Sequence, residues 1–302
     1  MDAHSSSTKA IFYAFSANLG IAIAKGIGAF YTGSGSMLAE TIHSLADCGN
    51  QVLLFFGLKS SERKPTKEHP FGFGKSIYFW SFIVAILLFS LGGMFSVYEG
   101  VEKIHSPEEI TSPIIALVIL GVSIFLEGGS FWGATKEINK IRKNRSWKEW
   151  IRTTRSAELL VVFAEDLAAM IGLTMAFCFV LLAMLTGNPV FDAIGSICIG
   201  SILLFIAFFL MIKVQAMLIG RSADPEVLEF ITKVIEKDKN IEEVYHVISL
   251  QMGPKIMLSA KIRMNEKLSI KQACVAINAL EKKIKKEFPE IQWSFIEPDI
   301  EN

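Results

Sequence analysis

His43 and Asp47 stand four residues apart inside the otherwise apolar stretch from Met37 to Gly57, with Glu40 one turn earlier. Ionisable side chains in such a stretch are costly and mark function. On a helix, residues four apart share a face, so an imidazole nitrogen and carboxylate oxygens at these positions converge on one point. That point suits a divalent metal. Further acids lie in later apolar stretches: Glu127, then Glu158, Glu165 and Asp166. They cannot all face lipid, so they face a protein interior or water. Interhelical packing explains an isolated acid such as Glu127, beside its Gly-Gly-Ser run, as readily as function does. His43 with Asp47, set opposite Asp166, exceeds what packing needs.

A site of this kind needs elements to hold it, and composition says which. Of the 302 residues, 51% are apolar and the mean hydropathy is +0.42, too oily for an ordinary soluble enzyme. Charge-poor stretches fill the first two-thirds; from about Arg221 the texture becomes that of a soluble domain. A helix crosses a bilayer with about 20 mostly apolar residues, and six stretches fit: 9–31, 35–58, 76–100, 112–135, 157–186 and 190–218. TGSGS, HSPEEITSP and TGNP punctuate them. The expected fold is a multi-pass α-helical membrane protein of six transmembrane helices, residues 1–220, with a C-terminal α+β domain over 221–302.

Loop charges orient it. Lys59, Arg63, Lys64, Lys67 and Lys75 follow the second stretch, and Lys136, Lys140, Arg142, Lys143, Arg145, Lys148, Arg152 and Arg155 follow the fourth; the opposite loops hold only Lys103. Lys and Arg accumulate on the cytoplasmic face, so both termini and the tail are expected there. The basic 136–155 segment also suits contact with anionic lipid. The tail reads as a helix opened by Asp224-Pro225, two strands around Gly253-Pro254, a helix over 269–287 and a strand over 291–297. This αββαβ order is short of one strand of the ferredoxin-like plan. A domain so small is expected to pack against a twin.

Zero net charge argues against nucleic acid as a partner. Cys48, Cys178, Cys198 and Cys274 form no CxxC pair and read as small apolar residues. The first residues, MDAHSSSTKA, lack the basic start of a secretory signal.

TGSGSMLAETIHSLADCGNQ, HPFGFGK, VYEGVEKI and a tail opening near ADPE together resemble the cation diffusion facilitator family over essentially the whole chain. Asn18 and Lys25 sit where family members often carry such residues. The resemblance implies a homodimeric antiporter of divalent metal ions, usually zinc, against protons, with a tetrahedral site between the second and fifth spans. It implies a transported metal, no prosthetic group and no enzymatic activity. His43 and Asp47 match the family's HxxxD pair, and Asp166 matches its distal Asp; Val162 stands where a fourth ligand is usual. The pattern resembles the branch that includes mitochondrial zinc transporter nine. Glu40, Asn50 and Glu165 are candidates for a supporting or proton-carrying role, and the missing coordination position falls to water or to Glu165.

The accessory family positions are weaker. His69 matches one ligand of a loop site, but Thr66 and Phe73 stand at the others. The tail's dimer-interface site aligns with Tyr245, Lys261, Phe295 and Glu297, with His246 out of register, so no binuclear zinc site is expected there. A family charge interlock pairs the GK lysine, here Lys75, with an Asp whose place is taken by Gly220. Asp192 reads as a helix N-terminal charge at the outer mouth and Glu158 as a lining of the cytoplasmic entrance. One imidazole and carboxylates suit zinc, and also manganese, iron or cobalt. Rival readings are a proton-coupled carrier of a small organic solute and a non-transporting, metal-sensing membrane scaffold. Short loops and a compact tail suit a bacterial inner membrane.

Overall fold

A computed structural model describes the backbone of residues 3–32, 35–106, 113–142 and 144–301, and within it all side chains but those of residues 3–7, 25, 28, 29, 31–43 and 46. The side chains of Lys25, Glu40 and His43 lie outside the described residues, as do Lys143 and parts of the TGSGS and HSPEEITSP links.

The first elements are α1 (Ala3–Thr32) and α2 (Gly35–Ser61). Then α3 (Ser76–Leu87) runs through a π-helical turn, Leu88–Met94, into α4 (Phe95–His105). They are followed by α5 (Pro113–Arg142), a short α6 (Trp147–Thr153), α7 (Ala157–Thr186) and α8 (Val190–Ile219). Local sequence sets the breaks. The Ser146 hydroxyl accepts the Glu149 N–H to start α6. Gly187, at φ +67°, closes α7 in the left-handed conformation that glycine adopts without strain.

Among the described residues four helices, not six, are long and apolar enough to cross a membrane: Ser76–His105, Pro113–Arg142, Ala157–Thr186 and Val190–Ile219. The expectation of six transmembrane helices is corrected at α1 and α2. Among the described residues the apolar run of α1 is Thr8–Ala24. In α2 the polar stripe through Glu40, His43, Asp47, Asn50 and Gln51 offsets its leucines and phenylalanines. The residues that give α2 its chemical interest are the ones that lower its hydropathy.

α1 packs against α2 and α5, α5 against α7, and α7 against α8. Their shared core holds Leu54, Tyr78, Ile138, Leu159, Val162 and Leu210. From α6, Trp150 is buried, and Trp147 stacks on Phe163 at 5.1 Å between ring centroids, pinning the start of α7. Phe12, Phe30, Phe125 and Phe205 are exposed on the outside, as lipid contact requires. α4 and α8 approach at glycines. A Cβ at Gly100 would stand 2.7 Å from Ile197, and one at Gly200 would stand 2.7 Å from the Val97 backbone nitrogen.

The tail is α9 (Pro225–Glu236), β1 (Ile241–Met252), β2 (Lys255–Met264), α10 (Ile270–Glu287) and β3 (Ile291–Pro298). β1 and β2 are an antiparallel hairpin turning between Met252 and Lys255, and β3 lies parallel to β2 with Ile291 beside Ile256. The sheet order is therefore β1-β2-β3. Alternate β2 residues Ile256, Leu258, Ala260 and Ile262 are buried against Ile231, Ile235, Leu280 and Ile284 of the two helices. This α+β tail has the elements that the sequence pattern anticipates.

The tail is docked on the helices. The β1–β2 turn reaches under α3, where the Tyr78 hydroxyl lies 3.4 Å from the Gly253 carbonyl oxygen. Gly74 and Gly253 meet backbone to backbone: a Cβ at Gly74 would overlap the Met252 carbonyl, and one at Gly253 the Gly74 carbonyl. Phe71 sets its ring edge on Trp293 at 5.4 Å. Arg155 donates to the carbonyls of Ser222 (2.7 Å) and Ala223 (3.2 Å), and Arg145 pairs with Asp224. Burial, then the nearby Arg221 charge, pulls the Arg155 guanidinium down to about 10, still charged at neutral pH.

Candidate functional site

Asp47, Asn50 and Gln51 occupy one face of α2, at spacings of three and four residues, and that face meets α7. There the Asn50 amide Nδ2 donates to Glu165 Oε1 at 2.9 Å. The Gln51 Nε2 donates to Glu165 Oε2 at 2.8 Å. All three side chains are buried, and the charge of Asp47 acts on Glu165. Both oxygens of one α7 carboxylate are thus held by α2.

The next residue faces elsewhere. Consecutive helical positions diverge by about 100°, and Asp166 points to α5, where the Ser130 hydroxyl donates to its Oδ2 at 3.0 Å. Glu127, also of α5 and buried, acts on Asp166 electrostatically. Of the expected ligands, the described residues bring Asp47 to Glu165 and Asp166 to Ser130 and Glu127. Glu40 and His43 belong to the α2 stripe in sequence, with side chains outside the described residues. Val162 is fully buried in the apolar core, so its position contributes packing and no donor. Among the described residues no group of three His, Cys, Asp or Glu is gathered to hold a metal.

Peripheral positions resolve individually. His69 is exposed in the loop before α3, its ring edge against Phe73 at 4.5 Å and its backbone N–H donating to the Thr66 hydroxyl. Lys75 donates to the Leu218 carbonyl at 3.4 Å, using the negative end of α8 where the interlock's Asp position reads Gly220. Asp192, in the first turn of α8, pairs with Lys103 at 3.2 Å. Glu158 is buried beside a cavity of about 40 Å³ that it lines with Ser61, Tyr78, Arg155 and Gly253, at the docked tail turn. In the tail, Lys261 binds Asp299 at 2.8 Å; their hydrogen bond raises the lysine and lowers the acid.

Sequence reasoning missed Gln51 and Ser130. Both carried a spacing signal: Gln51 lies four residues after Asp47, and Ser130 three after Glu127, so each shares a face with an acid already singled out.

Residues 11–219 match the cation efflux transmembrane domain, and residues 223–299 match the cation efflux protein, cytoplasmic domain. The chain belongs to the cation efflux family. It is an integral, multi-pass membrane protein, and it is not an enzyme. It is 35% identical to the mitochondrial proton-coupled zinc antiporter SLC30A9 of Xenopus laevis over 83% of this chain and 44% of that protein. It is 33% identical to metal tolerance protein C4 of Arabidopsis thaliana over 75% of this chain and 50% of that protein. The magnetosome protein MamB of Magnetospira sp. (strain QH-2) is 22% identical over 93% of this chain and 91% of its own length. The chain thus spans half or less of the length of the first two relatives and nearly all of the third.

Proposed function

We propose that this cation efflux protein carries a divalent metal cation, zinc foremost, out of the cytoplasm in exchange for protons. The observation that carries the reading is the buried polar junction of α2 and α7, where Asn50 and Gln51 hold Glu165 in an otherwise apolar helical packing, with the half-buried Asp47 acting on it through its charge. His43 and Asp47 of α2 with Asp166 of α7 are the proposed cation ligands; Glu40, Asn50 and Glu165 support them. Zinc is favoured because relatives are named as proton-coupled zinc antiporters, and an imidazole with carboxylates also accepts manganese, iron or cobalt. Metal requires neutral imidazole and ionised carboxylate, so metal and protons compete for the same groups and their fluxes couple. With a reference value of about 6.5, His43 is the natural proton carrier.

The tail is proposed to lie in the cytoplasm and to pair with its twin in a homodimer, the membrane being a bacterial inner membrane. The basic 59–75 and 136–155 segments support this placement, because they lie on the side where Arg145, Arg155 and Phe71 hold the tail.

The test is metal-dependent proton flux in proteoliposomes loaded with a pH-sensitive dye. Zinc is expected to drive proton movement through the wild type, and His43→Ala, Asp47→Ala and Asp166→Ala to lower it by more than about tenfold. Transport unaffected by all three substitutions would sink the reading.

A further inference from the structure

Gln51 is 1% exposed, and its Oε1 has no hydrogen-bond donor among the described residues. Turning the amide over does not help while Glu165 is ionised. The Nε2 group already donates to Glu165, and exchanging the two atoms would press an amide oxygen against a carboxylate oxygen. A buried acceptor left in this way costs about 1–3 kcal/mol unless something electropositive reaches it. The charges that act on Glu165 are those of Asp47 and Asp166, both negative. An orphaned oxygen and two neighbouring carboxylates, on facing helices, are the surroundings that a cation discharges.

We infer that Glu165 and the Gln51 side-chain oxygen are themselves ligands of the cation, completing with Asp47 an oxygen-rich face of the site. The inference rests on the α2–α7 site proposed above and deepens it. Geometry separates the two α7 acids. Glu165 is the one turned to α2, whereas Asp166 is committed to Ser130 of α5. Asn50 then acts as a positioning residue, because its amide fixes Glu165 Oε1. Glu165 therefore supplies from the side the donor that the buried Val162 cannot. Carboxylate and amide oxygens are hard ligands, so the site is assigned to borderline and hard divalent cations, with manganese and cobalt accepted beside zinc.

The experiment measures binding of Mn(II) by electron paramagnetic resonance, and Zn(II) by its displacement of Mn(II), on the full chain in detergent. Wild type, Asp47→Asn, Glu165→Gln, Glu165→Asp, Gln51→Leu, Gln51→Glu and Asp166→Asn are compared. Glu165→Gln and Gln51→Leu are expected to weaken Mn(II) binding by more than about tenfold, with binding largely restored in Glu165→Asp and retained in Gln51→Glu. Monodisperse elution in gel filtration, matching the wild type, shows that each variant is folded. Loss in Asp47→Asn with wild-type binding in Glu165→Gln and Gln51→Leu overturns the inference and leaves the α2–α7 site standing. Loss in Asp166→Asn alone among the α7 variants overturns it too, assigning the α7 ligand to Asp166. A wild type that binds neither ion overturns the site reading itself and the inference with it.

Discussion

At the residue scale, Asp224 joins two roles that can be separated. Its Oδ1 accepts the Glu226 N–H and caps α9, while its Oδ2 pairs with Arg145 across the junction with the helices. Asp224→Ala is expected to destabilise the tail by about 1 kcal/mol through the lost cap. Asp224→Asn keeps an N-capping oxygen and loses the charge pair, so thermal denaturation of the full chain should place it nearer the wild type. An equal fall in both would assign the effect to the ion pair. The cap was legible in the sequence, since Asp-Pro before an amphipathic run has a local physical meaning. The candidate site was legible only in part. Acids in apolar stretches announce themselves by cost, so Asp47, Glu165 and Asp166 stand out by type alone. Which of two adjacent acids turns toward α2 depends on the rotation of α7, set by Trp147, Phe163 and Val162 in its packing, and spacing along one helix carries no information on that.

At the element scale, the tail's strands and helices were readable because alternation and helical periodicity each bury one face. The helices before it were harder. A polar stripe for a site and an apolar belt for lipid make opposite demands on the same residues, and α2 meets the first at the expense of the second. The close approach of α4 to α8 was equally hidden, because Gly93, Gly100 and Gly200 show their purpose only when the two helices are side by side. A Cβ at Gly200 meets the Val97 nitrogen at 2.7 Å and the Gly93 carbonyl oxygen at 2.9 Å, backbone atoms that cannot swing aside. Gly200→Ala is expected to destabilise the protein by about 1–3 kcal/mol. Gly121→Ala in α5, where a Cβ finds open space, should be neutral or slightly stabilising. Thermal unfolding in detergent ranks the two; a Gly200→Ala midpoint at or above the wild type would mean that the helices yield.

At the scale of the whole molecule, the tail and the helices are held by carbonyl contacts from Arg155, the Arg145 pair, Phe71 against Trp293 and the β1–β2 turn under Tyr78. Gly253 carries φ +68°, so alanine there costs about 1–2 kcal/mol for the backbone alone, before the collision with Gly74. Gly253→Ala is expected to loosen the tail at its junction and to speed tryptic cleavage at Arg221. An unchanged cleavage rate would show that the junction survives without the turn. At this contact main chain touches main chain. Side chains elsewhere absorb small displacements by changing rotamer, but here neither partner has one. Any shift of the loop before α3 is therefore passed to the β1–β2 hairpin at full amplitude, which makes this point a stiff linkage between the helices and the sheet.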